Sequence, residues 1–520
     1  MATVAEHSVR PRRGAELGLL AIAVLLGVGA YAIIGLTVTG EIPANTRNYS
    51  LGLAALALGS HFVLRWRAPY ADPVILPVAI ALNGIGLAMI YRLDLATRNN
   101  DIPDTFASRQ LAWTTFGVVL ACLVLVVLRD HRTLRRFTYT SMLVALGLLM
   151  LPLVPGLGTT INGARIWVRL GSQSLQPAEF AKIALAVFFA GYLVTNRETL
   201  ALAGPRVLGL QLPRWRDLGP ILLVWGASIA ILVVQRDLGT SLLIFGLFVA
   251  MLYLATERLS WIVIGLVLFL GGAGLAAVSF SHVGARFDAW LNAFDPEVFN
   301  RAVGGSGQLV RGLFGMASGG LFGTGWGEGR PQLVPYAESD FIIPALGEEL
   351  GLTGLVAILL LYLVLVQRGL RTAIGVRDGF GKLLVGGLAF AIAWQCFVVV
   401  GGVTRLIPLT GLAMPFLAYG GSALLANWVI VALLLRISDS ARRPAPTSSS
   451  PLVIGPETFA AARTPAAPAG GGGVSKRGGD DGEVGDGGVP DGGAPDDGAA
   501  TPEEPVSSDD QPTQIVGERP

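Results

Sequence analysis

The feature that most constrains this chain is a succession of apolar runs filling residues 1 to about 440 of 520. Each is near the roughly 20 residues that a helix needs to cross a bilayer. In lipid a helix satisfies its own backbone hydrogen bonds, so the expected fold is an all-α polytopic membrane protein. Composition agrees: the chain is 52% hydrophobic and only 14% charged, against about 25% charged in soluble domains. That excludes a large soluble enzyme. A formal net charge of +2 gives no basic field for nucleic acid. Four histidines and two cysteines leave too few ligands for a zinc, iron or haem centre. Cys122 and Cys396 sit in apolar runs and read as packed hydrophobes, not as a disulfide framework.

The runs divide into about twelve spans: 16–36, 49–65, 74–92, 111–128, 138–155, 177–196, 217–235, 238–255, 259–280, 341–367, 382–401 and 411–435. The first follows Arg10, Arg12 and Arg13 but is too long for a signal peptide, so it is read as a retained anchor. With the N-terminus (1–15) cytoplasmic, the even-numbered loops carry Arg65 and Arg67, then Arg129, Arg132, Arg135 and Arg136, then Arg197, Arg206, Arg214 and Arg216, then Arg258, then Arg368, Arg371, Arg377 and Lys382. The opposite loops are poorer in Lys and Arg. This bias places both termini in the cytoplasm and the loop at about 281–340 on the outer face. The membrane domain is read as 16–437. Residues 438–520, rich in Gly, Pro and acidic residues and free of Trp and Tyr, are read as a disordered cytoplasmic tail.

Charges inside or beside spans face a bundle interior or a wet cavity. Glu179 and Lys182 lie one helical turn apart, after Pro177. Gln235, Arg236 and Asp237 cluster where two spans meet. Glu338 and Asp340 precede the tenth span, Glu348 and Glu349 lie inside it, and Arg405 sits in the turn before the twelfth. Each competes with a bland alternative, a buried pair that locks helices. Cations on the outer side suit a phosphate group. The 281–340 loop, long, Gly-rich and carrying Trp290, Phe294, Phe299, Trp326 and Tyr336, is expected to fold onto the membrane surface over a charged cavity. Such a cavity fits a lipid-linked pyrophosphate, and equally a transported anion.

Four stretches carry a resemblance. NGARIWVRLGSQSLQPAEFAK (162–182) is similar to a pattern of NGA, Trp, Arg and QPSEF-Lys. QRDLGTSLL (235–243) resembles QPDLGT. GGLFGTGWGEGRPQLVPYAESDFIIPALGEELGLTG (319–354) resembles GGxxGxGxG, PxxxTDFIF and EELG. VTRLIPLTGLAMPFLAYGGSALLAN (403–427) resembles VTGxxPxTGxxxPFxSYGGS. On these the chain is identified as a member of the shape, elongation, division and sporulation (SEDS) family.

The resemblance implies a peptidoglycan glycosyltransferase that polymerises lipid II at the outer face of the cytoplasmic membrane. It implies a role in cell elongation or division, with elongation the favoured reading, and a class B penicillin-binding protein as partner. The donor, an undecaprenyl-pyrophosphate-linked glycan, is already activated, so no nucleotide is needed. The leaving diphosphate needs cations or a divalent metal, Mg or Mn. The implied catalytic base is Asp295, in the loop segment RFDAWLNAFDPEVFNRAVGGSGQLVRGLF, with Gln308 anchoring its far side. Asp288 and Glu297 are its rivals. Lys182, Arg165, Arg405, Trp167 and Glu179 are the implied substrate or pyrophosphate contacts. Glu338 and Asp340 are expected to hold a metal or orient the loop. Gln235, Asp237, Gln308, Glu348, Glu349 and Ser422 are structural or site residues. The chain departs from the patterns at Arg236 (Pro expected), Arg311 (Gln) and Val399 (Asn), and the segment from Trp290 to Gln308 is longer. A lipid II flippase or a non-catalytic scaffold for the penicillin-binding protein remain as alternatives.

Overall fold

The computed structural model describes residues 13–98, 106–161, 163–171, 173–197, 206–207, 210–211 and 215–444. The readings for residues 1–12 and for the tail from 445 lie outside them. The helices are α1 (Arg13–Thr39), α2 (Thr46–Arg67), α3 (Ile75–Arg98), α4 (Phe106–Val127), α5 (Thr138–Met150), α6 (Ala178–Thr195), α7 (Trp215–Gln235), α8 (Leu238–Thr256) and α9 (Ser260–Ser279). Then come the short α10 (Ser281–Leu291), α11 (Pro296–Phe299) and α12 (Gly307–Gly319), followed by α13 (Ile342–Gly375), α14 (Gly379–Val403) and α15 (Gly421–Arg442). A helix stands at each of the twelve expected spans. Ten of the described helices are long and apolar enough to cross a membrane, so the chain is a multi-pass membrane protein. Of the helices at the twelve expected spans, the two outside that number are α2, whose apolar run is diluted by Asn48, Ser60 and His61, and α7, apolar over 219–235.

Two expected domain edges fall within described helices. Among the described residues α1 runs from Arg13, which donates to the carbonyls of Pro69, Ala68 and Ala71 at 3.0, 2.7 and 2.9 Å. It also pairs with buried Glu16, which meets His61 Nδ1 at 2.8 Å. At the other end α15 continues to Arg442, past the expected edge at 438, because Asp439 accepts from the Tyr70 amide at 2.8 Å.

The tenth span is a broken helix. At Gly351 the backbone turns to φ 66, ψ −172. The Gly-rich segment 319–329 docks into the break. Thr324 and Gly325 amides donate to the Glu348 and Glu349 carbonyls at 3.0 and 2.9 Å, and Leu352 and Thr353 amides donate to Gly320 and Leu321 carbonyls, both at 3.0 Å. The backbone groups freed by the break are thus satisfied inside the protein, the condition for irregular backbone at membrane depth. A Cβ on Gly351 would stand 2.2 Å from the Gly323 amide, so only glycine permits this approach.

The segment 404–420 solves the same problem differently. The twelfth span was expected from 411, but its helix starts at 421. The preceding backbone is irregular and buried at Leu412, Met414, Phe416 and Leu417. Side chains from neighbouring helices serve it: Asn83 to Phe416 O at 3.2 Å, Gln110 to Ala418 O at 3.0 Å and Gln395 to Ala413 O at 2.8 Å. A second departure from the all-α expectation is a small antiparallel sheet, β1 (Gly158–Ile161), β2 (Ala164–Leu170) and β3 (Gln173–Leu175), in that order. Its seven-residue central strand is too short and too closely flanked by glycines to stand out against the spans.

Candidate active site

One cavity of about 960 Å³ opens where β2, the N-terminus of α6, the α7–α8 turn, α10 to α12, the turn before α13 and the 404–420 segment converge. That is within the size range of a small-molecule site. Of the residues singled out in the sequence, Trp167, Glu179, Asp237, Gln308, Asp340 and Ser422 line it. They come from six separate stretches of chain. Ser422, at the start of α15, accepts from the Gln176 amide at 2.8 Å and so ties α15 to the entry of α6.

The other candidates lie elsewhere, each for a visible reason. Lys182 is 2% exposed and spent on its neighbours: Nζ donates to Glu179 Oε2 at 2.5 Å and to Gln395 Oε1 at 3.0 Å. It locks α6 to α14 and does not reach the cavity. Arg165 is not among the lining residues and donates to Val154 O at 3.3 Å. Arg405 turns its guanidinium onto the end of α10, donating to Trp290 O and Leu291 O, both at 2.7 Å. Gln235 donates to Leu149 O and fastens α7 to α5. Glu348 accepts from the Arg330 amide at 2.7 Å, and Glu349 meets Arg92 Nε at 2.8 Å, so both serve the broken helix.

Asp295 is exposed and does not line the cavity. It caps the one-turn helix α11, its Oδ1 accepting from the Glu297 amide at 2.9 Å, with Pro296 in the first helical position. The stretch that carries it is bounded by lining residues, Trp290 before it and Phe299, Asn300 and Arg301 after it. Its rival Asp288 is engaged by Asn292 and Arg301, each at 2.9 Å, and these partners hold its carboxyl below the usual range.

Several lining groups were not read from the sequence as site residues. Arg286, on the same face of α10 as Ala289 and Trp290, donates to Leu409 O and Thr410 O at 3.0 and 3.1 Å. The spacing 286, 289, 290 was the available signal. Arg301 also lines the cavity, as do Arg236, read above as part of a charged cluster and a departure from the pattern, and Arg311, noted as a departure. Carboxylates and guanidiniums therefore share one wall. Burial pushes the Asp340 carboxyl up to about 6, with the Glu338 charge adding to the rise and Arg286 opposing it.

A metal pair at Glu338 and Asp340 does not find its third ligand. Among the described residues no group of three or more His, Cys, Asp or Glu side chains is placed to hold a metal. Glu338 is outside the lining, and the cation facing Asp340 is Arg286. The donor set does not fit a built metal site.

Comparison with known proteins is consistent across sequence and fold. Residues 73–443 match the family described as cell cycle protein, FtsW/RodA/SpoVE. The chain is 48% identical over 450 residues to peptidoglycan glycosyltransferase RodA of Mycobacterium tuberculosis H37Rv, covering 85% of this chain and 94% of that one. It is 33% identical over 377 residues to stage V sporulation protein E of Bacillus subtilis 168, covering 71% and 98%. Its fold resembles a solved peptidoglycan synthase complex that coordinates polymerization and crosslinking, with TM-score 0.57 and 23% identity, covering 72% of this chain and 99% of that one. It also resembles crystalline RodA of Thermus thermophilus, with TM-score 0.50 and 24% identity over 72% and 98%.

Proposed function

This chain belongs to the FtsW/RodA/SpoVE family and is a peptidoglycan glycosyltransferase, and we propose that it polymerises lipid II at the outer face of the cytoplasmic membrane in cell elongation. The observation that carries this reading is the 960 Å³ cavity, walled by aromatic, acid and guanidinium side chains from six chain segments. Elongation is favoured by 48% identity to a RodA against 33% to the sporulation protein. The Lys and Arg bias of the loops supports cytoplasmic termini and an outer position for the loop holding α10 to α12.

In the reaction a sugar 4-hydroxyl attacks the anomeric carbon of the lipid-linked glycan. A new C–O bond forms, the bond to the diphosphate breaks, and the diphosphate leaves with the electron pair. Arg286, Arg301 and Arg311, with Arg236, are the lining cations that can face its developing charge. The hydroxyl proton needs an acceptor within hydrogen-bond reach. Asp295 is that base: an exposed carboxylate in the stretch between cavity-lining Trp290 and Phe299, with no ion pair among the described residues. Asp340 is the second reading, because it lines the cavity and its carboxyl is raised to about 6. A class B penicillin-binding protein is the partner that would crosslink the product.

Purified protein in liposomes with lipid II and that partner tests the reading. Asp295→Asn is expected to abolish glycan chains while leaving the folded protein intact. Retained polymer in Asp295→Asn with loss in Asp340→Asn moves the base to Asp340. Lipid II crossing the bilayer without any polymer refutes the polymerase and leaves a flippase.

A further inference from the structure

The α7–α8 turn offers the cavity two adjacent side chains, of which the roles above leave Asp237 unused. Asp237 caps α8, with Oδ1 accepting from the Thr240 amide at 2.9 Å. Its other oxygen, Oδ2, has no hydrogen-bond partner among the described residues, although Asp237 is 8% exposed and lines the cavity. An acceptor buried without a partner destabilises the fold that holds it. At a cavity wall such an oxygen is a seat for a ligand's donor.

Arg236 carries a second signal. It holds φ 63, the left-handed region, where a residue with a side chain is strained. Its amide donates to Val233 O at 3.1 Å and the next amide to Leu232 O at 3.0 Å, the helix-closing arrangement that glycine normally occupies. The side chain retained at that strained point lines the cavity and forms no ion pair among the described residues. A cation and an open acceptor therefore stand on consecutive residues.

We propose that the Arg236–Asp237 turn recognises the sugar that carries the diphosphate. Arg236 takes a phosphate oxygen on C1, and Asp237 Oδ2 accepts the N–H of the acetamido group on C2. The two ligand groups sit on adjacent carbons, as the two protein groups sit on adjacent residues. The proposal rests on the polymerase reading and names the substrate feature that the site reads. A site built to pair with an N–H discriminates against an analogue that lacks it.

The test compares lipid II with an analogue bearing acetoxy in place of acetamido on the diphosphate-linked sugar, using the full chain in liposomes. Wild type is expected to show a KM about tenfold higher for the analogue, the net effect of one lost hydrogen bond. Asp237→Asn keeps the capping oxygen and is expected to show one raised KM for both substrates. Arg236→Gly suits the turn and is expected to raise both KM values while keeping the preference. Asp237→Ser, which also caps, carries the same comparison if the Asn variant does not fold. A preference unchanged in the Asp237 variants, or an unchanged KM in Arg236→Gly, overturns the proposal while wild-type polymerisation stands. A wild type that makes no polymer overturns the polymerase reading and this proposal together.

Discussion

Arg405 and Trp290 bond each other reciprocally: Arg405 Nε donates to the Trp290 carbonyl at 2.7 Å, and the Trp290 indole N–H donates to the Arg405 carbonyl at 3.0 Å. The same guanidinium closes the end of α10 at Leu291 and lies 5.3 Å over the Phe294 ring. The backbone of Arg405 is left-handed, φ 61, at a position where the VTGxxPxTG pattern has glycine. The clamp thus fixes the segment that leads directly into Asp295. Arg405→Gly relieves the backbone and frees that segment. The expected result is a thermal midpoint close to wild type with polymerisation kcat down about tenfold or more, since small misplacements of a reacting group cost that much. Unchanged kcat would mean that the segment holds its place without the clamp.

The buried Lys182 pair gives a stability prediction. Lys182→Met leaves the Glu179 carboxylate buried without its cation, a loss of about 3–5 kcal/mol. Thermal unfolding in detergent micelles should show a large drop, partly recovered by adding Glu179→Gln. Equal midpoints in the single and double variants would argue against a coupled pair.

Arg92 makes a parallel case at the broken helix. It holds Glu349 at 2.8 Å and donates to the Gly327 and Gly329 carbonyls at 3.2 and 2.7 Å. Arg92→Leu is expected to cost about 3–5 kcal/mol and to speed hydrogen exchange at the Thr324 and Gly325 amides. Exchange there at the wild-type rate would show that the loop stays docked without Arg92.

Asp340 sets a pH dependence. Its carboxyl is raised from 3.8 to about 6, so the folded protein holds a proton that the unfolded chain has released. Stability from this group is full below about pH 4 and is lost as pH rises through about 6, by at most about 3 kcal/mol. Asp340→Asn should flatten the thermal midpoint between pH 5 and 7 relative to wild type. A parallel decline in both proteins would assign it to other groups.

The legible part of the site follows from types and spacings. Pro177, Glu179 and Lys182 announced a helix start with two charges on one face, and that is what α6 shows. Yet the pair points two ways: Glu179 lines the cavity while Lys182 is locked to Gln395. Glu348 and Glu349 read as costly charges in a span, but the amides that claim their backbone come from residues 324 and 325. Nothing local to Arg405 indicated that its partners lie at 290 and 291, more than a hundred residues earlier.

By itself the sequence determined the class of environment and the helical, multi-pass fold, because apolar length and loop charge act locally and add along the chain. The destinations of the charged side chains were settled only by tertiary structure. Inside a low-dielectric bundle each polar group goes to whichever partner the packing brings within about 3 Å, and those partners are remote in sequence. That is why Arg286 and Asp340 reached the cavity while Lys182, Arg165 and Arg405 were taken up in holding it together.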